Sequence, residues 1–245
     1  MNKMNFKLPL MMFAALSIAL SSCTKDEEEA VYDNVLELAI NQVTDTINFE
    51  AKRAAFLAVL NSQEGVVADK KLAMFFDYQT FSPVPSTAPI AVGMTEYESK
   101  EIYDGIAATL GNSTEAAEYF GTFSPISFLS LKPLEDDVDP NLSSICNEPG
   151  QILEIAVRDI SGYADMTDYE AKRDAFLSLL SQQNGFVEEY QWISTNGTHA
   201  VGMTVYTDQN AFFTLSANTA FTESAAYTEF LGTYPPIAGG MNAQN

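Results

Sequence analysis

Apolar residues recur at helical spacing twice in this chain, in nearly the same stretch each time. FEAKRAAFLAVLNSQEGV begins at Phe49 and YEAKRDAFLSLLSQQNGF begins at Tyr169. Ala51, Ala55, Phe56, Val59 and Leu60 form one stripe, and Ala171, Ala175, Phe176, Leu179 and Leu180 repeat it, so one face of each helix should be core. Asn48 and Asp168 stand where an N-cap is expected, Thr167 and Glu170 have the spacing of a capping box, and Gly65 and Gly185 supply a left-handed stop.

On either side of each helix the period changes to two. VLELAIN from Val35 and ILEIAVR from Ile152 precede the helices; VVADKKLAMFF and FVEEYQWIS follow them, and then come IAVGMTEY at 90–97 and HAVGMTVY at 199–206. The Pro-rich FSPVPSTAP of the first copy reads as a surface loop rather than a strand. Asn196-Gly197 predicts a type I′ hairpin turn. A second helical region opens near Ser99 and near Asp208, breaks at Gly111-Asn112 and at Asn218, and resumes at STEAAEYF and TESAAYTEF. GTFSPI at 121–126 and GTYPPI at 232–237 lead into a last short strand in each copy. The order is β-α-β-β-α-β twice, the split unit of ferredoxin-like domains.

The EAKR-AFL-LL helix with its Gly stop, the strand pair after it and the second helix ending near an aromatic-Gly turn resemble the dimeric α+β barrel group that includes antibiotic-biosynthesis monooxygenase-like domains. In such families two chains bring one sheet against another. The resemblance implies fold class α+β, with two tandem ferredoxin-like (β-α-β-β-α-β) repeats pairing as an intramolecular dimeric α/β barrel. Repeat 1 would span 35–132, a linker 133–150 and repeat 2 151–241. The alternative is two independent beads on a linker.

The strands carry the candidate site. Leu36, Leu38 and Ile40 oppose Glu37, Ala39 and Asn41, and Leu153, Ile155 and Val157 oppose Glu154, Ala156 and Arg158. The greasy face is expected to take the helices and the other to line a cleft between the sheets. The ligand-cleft candidates are therefore Glu37, Asn41, Tyr97, Glu154, Arg158 and Tyr206, with Trp192 as core or cleft wall and His199 at a strand start. Such a cleft would bind a polar or cationic ligand or supply a carboxylate base; the blander reading pairs the carboxylates with Arg158 or leaves them to solvent. In haem-degrading relatives a His on the second helix holds the iron, and neither second helical region here contains one. No cofactor and no metal site are expected, since no phosphate loop, metal-ligand spacing or nucleophile elbow occurs.

The start of the chain speaks to location. Lys3 and Lys7 precede an apolar run from Leu8 to Leu20, too short to span a membrane, and Leu20-Ser21-Ser22-Cys23 resembles the lipobox of bacterial lipoproteins. Residues 1–22 would then be a signal peptide and Cys23 the lipidation site, leaving 23–34 as an acidic tether. TKDEEEA within it resembles the export signal that sends Bacteroidota lipoproteins to the outer cell surface. The expected location is an outer membrane lipoprotein at the cell surface, with the membrane as a partner through its lipid anchor. If Cys23 is acylated, Cys146 has no intramolecular partner and no disulfide framework is available.

The formal net charge of −21 disfavours nucleic acid as a partner, because phosphate contacts need clustered cations. A hydrophobic share of 47% nonetheless predicts a folded, core-bearing chain. Two function classes follow: a surface lipoprotein that binds a small molecule or an envelope protein without catalysis, or a cofactor-free monooxygenase-like enzyme acting on an aromatic or quinol substrate. A convergent polar set in a closed apolar pocket would distinguish them.

Overall fold

A computed structural model describes residues 33–134, 141–163 and 166–244; the leader, Cys23 and most of the acidic tether lie outside the described residues. The first half of the chain supplies β1 (Val35–Val43), α1 (Phe49–Leu60), β2 (Val66–Asp77), the short β3 (Ser82–Pro83), β4 (Ile90–Tyr97), α2 (Lys100–Leu110), α3 (Thr114–Phe120) and β5 (Phe123–Pro133). The second supplies β6 (Ile152–Asp159), α4 (Met166–Leu180), β7 (Phe186–Ser194), β8 (His199–Tyr206), α5 (Gln209–Ser216), α6 (Thr219–Thr222), α7 (Ala225–Thr233) and β9 (Ala238–Gln244).

The strands run in the order β3-β2-β4-β1-β5-β7-β8-β6-β9, and β9 returns to pair with β2. Eight antiparallel strands thus close into a barrel, with β3 appended to the end of β2. In each half the four long strands take the order second, third, first, fourth. The halves meet at two seams: Leu131 to Pro133 against Ser194 to Trp192, and Leu72 to Asp77 against Gln244 to Gly240. Two glycines let β9 approach its neighbours on both sides, β6 within its own half and β2 across the second seam. A Cβ on Gly239, whose φ is +111°, would come within 2.0 Å of the Ile155 carbonyl oxygen, and one on Gly240 within 2.0 Å of that of Phe76.

Closing the sheet decides which face is inside. Leu36, Leu38 and Ile40 share one buried cluster with Leu153, Ile155 and Val157, together with Val92, Met94, Trp192, Val201, Met203 and Val205. The greasy faces therefore fill the barrel, and the polar faces turn to the helices, the reverse of the expected arrangement. The physical reason is that an eight-stranded barrel has an interior just wide enough for side chains, which must be apolar and fill it. No inter-sheet cleft remains.

The connector between the halves belongs to this core as well. Leu142, Ile145 and Cys146 are buried in it, and the Glu96 carboxylate fixes the segment by accepting the Leu142 N–H at 3.0 Å. Cys146 is 1% exposed, and loss of water pushes its thiol up.

The helices form broadly where the pattern places them, with local differences at their ends. Gly65 and Gly185 adopt φ of +85° and +88°, and a Cβ there would meet Ile102 at 2.6 Å and Ala211 at 2.3 Å. Ser99 and Asp208 cap the second helical regions by accepting from Ile102 N at 3.3 Å and Ala211 N at 2.8 Å. Asn48 makes no side-chain cap bond; Asp45 takes that part, accepting from the backbone N–H groups of Ile47 and Asn48, both at 3.1 Å. Because α4 begins at Met166, Asp168 lies inside its first turn rather than at its cap. At the hairpin of Asn196 and Gly197 only the glycine has positive φ, so the turn is not type I′.

Candidate functional site

Two chambers lie between the outer face of the barrel and its helices, one in each half. The larger, in the second half, encloses about 520 Å³. Its floor is the polar side of three neighbouring strands: Glu154, Ala156 and Arg158 from β6, Gly202, Thr204 and Tyr206 from β8, and Glu189 and Gln191 from β7. Phe176 of α4, Phe212 and Phe213 of α5, and Phe221, Tyr227 and Phe230 of the following helices wall it. The first half also contributes: Phe76 near the end of β2, and Tyr78 and Phe81 in the turn that follows it, reach the rim from across the second seam. The volume falls within the range usual for small-molecule pockets, and the lining has their usual character of aromatic walls with a few placed polar groups.

Those polar groups form an ordered set. Glu154 accepts a hydrogen bond from the Tyr206 hydroxyl at 2.8 Å and another from the Tyr78 hydroxyl. Burial pushes both phenols well up, and the negative charge of Glu154 adds to the effect. Glu189 accepts from the Thr204 hydroxyl and from the Gln191 amide. Desolvation pushes its carboxyl up to about 8 even though the Thr204 hydrogen bond and Arg158 pull the other way. Near neutral pH Glu189 thus holds a proton that it can exchange.

Arg158 is 6% exposed, donates from Nε to the Tyr234 carbonyl at 3.1 Å and lies over the Phe230 ring at 4.7 Å. Among the described residues no carboxylate forms an ion pair with it, so the blander pairing of Glu154 with Arg158 is not what the structure holds. Gly202 makes the floor possible: a Cβ there would stand 2.8 Å from Glu189 Oε1 and 3.4 Å from Arg158 Nη1.

The first-half chamber is smaller, about 210 Å³, and lined by Glu37, Asn41, Thr95 and Tyr97 on the sheet side, with Phe56, Tyr103 and Tyr119 among its helical walls. Burial raises the Glu37 carboxyl to about 7 against an opposing hydrogen bond with Tyr97. Arg53, also in the wall, is taken up by Asp69 at 3.2 Å.

The sequence candidates are therefore divided. Glu37, Asn41 and Tyr97 meet in one chamber, and Glu154, Arg158 and Tyr206 in the other. Trp192 belongs to neither; it is 1% exposed inside the barrel. His199 begins β8 opposite Asp159, with Nδ1 2.8 Å from the Thr198 hydroxyl, and lines neither chamber. With the chain's single histidine outside both, neither chamber fits a histidine-ligated haem. Glu189 and Gln191 were missed as candidates although their alternation with Tyr190 and Trp192 marks them as one face. Tyr78 was missed because it reaches its chamber only through the second seam.

No family model and no curated protein matches the sequence. Solved structures do. An anthrone oxidase-like protein is similar at a TM-score of 0.55 and 11% identity, covering 87% of this chain and 92% of that one. A variant chlorite dismutase from Candidatus Nitrospira defluvii, in complex with cyanide, is similar at a TM-score of 0.51 and 7% identity, covering 86% of this chain and 90% of that one. The fold these proteins share with this chain is an α+β barrel closed by antiparallel strands. At such identities the likeness concerns fold alone.

Proposed function

We propose that the second-half chamber binds a planar, largely apolar aromatic compound carrying an oxygen function, and that the protein acts on it as a cofactor-free monooxygenase-like enzyme. The observation that carries this reading is the convergence, on the floor of an aromatic chamber, of Glu189, a carboxyl pushed up to about 8, and Arg158, with which no carboxylate among the described residues pairs. Glu189 would take a proton from an activated ring CH2 group, and Arg158 would favour the charge that develops on the ring oxygen. The resulting carbanion would reduce dioxygen. Addition of O2 at that carbon and loss of water turn CH2 into C=O, so the substrate gives up four electrons and the two oxygen atoms end in the carbonyl and in water. The similarity to an anthrone oxidase-like protein supports the fold side of this reading.

Anthrone is the probe of choice, followed with an oxygen electrode and by chromatography of the quinone. The expected result is oxygen uptake that rises with pH through about 8, as Glu189 ionises, and that Glu189→Gln abolishes while anthrone binding persists. Saturable anthrone binding with no oxygen uptake would instead assign the protein a binding role. Neither binding nor turnover would remove the reading altogether.

The two halves are best read as tandem ferredoxin-like repeats, 35–132 and 151–241, paired within one chain; their common element order and strand order support this. The Lys-apolar-Ser-Ser-Cys layout supports acylation at Cys23 and display on the outer membrane surface. A Cys23→Ala chain that stays with the membrane fraction would overturn the anchor.

A further inference from the structure

We propose that the first-half chamber is a second and separate binding site, one that takes a small arylalkyl amine in its ammonium form. Three observations converge. Asn41 is 2% exposed, lines the chamber, and its Oδ1 is buried without a hydrogen-bond partner, an acceptor that calls for a donor. Glu37 stands four residues before it on the same strand face and adds carboxylate acceptors further along the chamber. The rings of Phe56, Tyr103 and Tyr119 line the helical side, where aromatic faces attract a cation.

The other chamber shows what is missing. Glu37 faces Thr95 in the register of β1 on β4 as Glu154 faces Thr204 in that of β6 on β8, and Asn41 faces Ala91 as Arg158 faces Ala200. The second half thus supplies its own cation at the position where the first half has a bare amide oxygen. Arg53, the cation that does line the first chamber, is already engaged by Asp69. An incoming ammonium carries three donors, one of which suits Asn41 Oδ1, while Glu37, further along the same face, supplies the counter-charge. An anion would oppose the ionised form of Glu37, and a neutral ligand would gain nothing from that charge. The volume of about 210 Å³ lies below the drug-sized range, which limits the ligand to about one ring with a short amine arm. Phe120 and Phe128, 44% and 53% exposed, mark where the chamber meets solvent.

The test is calorimetric titration of the full chain with benzylamine, benzyl alcohol and benzoate. Benzylamine should bind saturably, benzyl alcohol about tenfold or more weakly, and benzoate not at all. Glu37→Gln and Asn41→Leu should each weaken benzylamine by about tenfold or more, whereas Glu189→Gln should leave it unchanged. A readout that needs no variant is proton release. The groups that line the chamber with Glu37 are Arg53 from α1, a guanidinium that keeps its charge, and the phenols of Tyr97 from β4, Tyr103 from α2 and Tyr119 from α3, which burial raises further above neutral pH. Binding at about pH 6 should therefore release close to one proton, from Glu37, and almost none at about pH 8.5. Benzoate binding more tightly than benzylamine, or benzylamine binding that survives Glu37→Gln and is lost in Glu189→Gln, would overturn the proposal. The proposal does not depend on the reaction assigned to the other chamber, and failure of either leaves the other standing.

Discussion

Glu37 and Glu189 each sit where losing water disfavours the charged form, and their carboxyls are pushed from an ordinary 4.5 to about 7 and about 8. In the unfolded chain both ionise near the ordinary value. Between these limits the folded state binds more protons, so stability must fall as pH rises. The effect is absent below about 4.5 and complete above about 8. Urea unfolding should therefore show a loss on the order of a few kcal/mol between pH 5 and pH 8, and a Glu37→Gln, Glu189→Gln double variant should flatten it. A double variant that keeps the full slope would assign it to repulsion among the many surface acids instead. At this scale the sequence was informative where period-two alternation operates: Glu37, Asn41 and Tyr97, or Glu154, Arg158 and Tyr206, share a face because their spacing says so. It was silent on Tyr78, whose hydrogen bond to Glu154 depends on two strands from opposite halves becoming neighbours.

At the scale of elements, alternation shows that a strand has two faces without showing which is inside. Closure settled that, since Leu36, Leu38 and Ile40 can be buried against Leu153, Ile155 and Val157 only within a barrel. Closure in turn rests on β9, which threads between β6 and β2. Gly239 lets it pass: its φ of +111° is one that side chains rarely adopt, and a Cβ would collide with the backbone of Ile155 rather than with a movable side chain. Gly239→Ala should cost about 2–4 kcal/mol and lower the melting temperature by many degrees, because strain and backbone displacement add. Gly93 is the contrasting control. It lies on β4 of the first half, and a Cβ there meets nothing within 4 Å, so Gly93→Ala should leave the melting temperature nearly unchanged. Equal losses at both positions would mean that the close approach of β9 to β6 is not a special constraint.

For the whole molecule, the two seams make each half the other's missing edge. The second half alone would present β7 without β5 and β9 without β2, two unpaired strand edges beside an open apolar face. It would also lose the first-half side of the core cluster, together with Leu142, Ile145 and Cys146 of the connector. Both seams join the fourth long strand of one half to the second long strand of the other, so two copies of residues 151–245 have a geometric route to the same closed barrel, with β9 of each copy against β7 of its mate. Expressed alone, this segment should dimerise, aggregate or unfold, and any dimer should dissociate and melt together on dilution. The second chamber would be altered in either case, because Tyr78, Phe76 and Phe81 come from the other half. Analytical ultracentrifugation with thermal unfolding across a concentration series decides the matter. A monomer with a sharp, concentration-independent transition would show that the halves fold as independent beads, and the shared wall of the larger chamber would then have no basis.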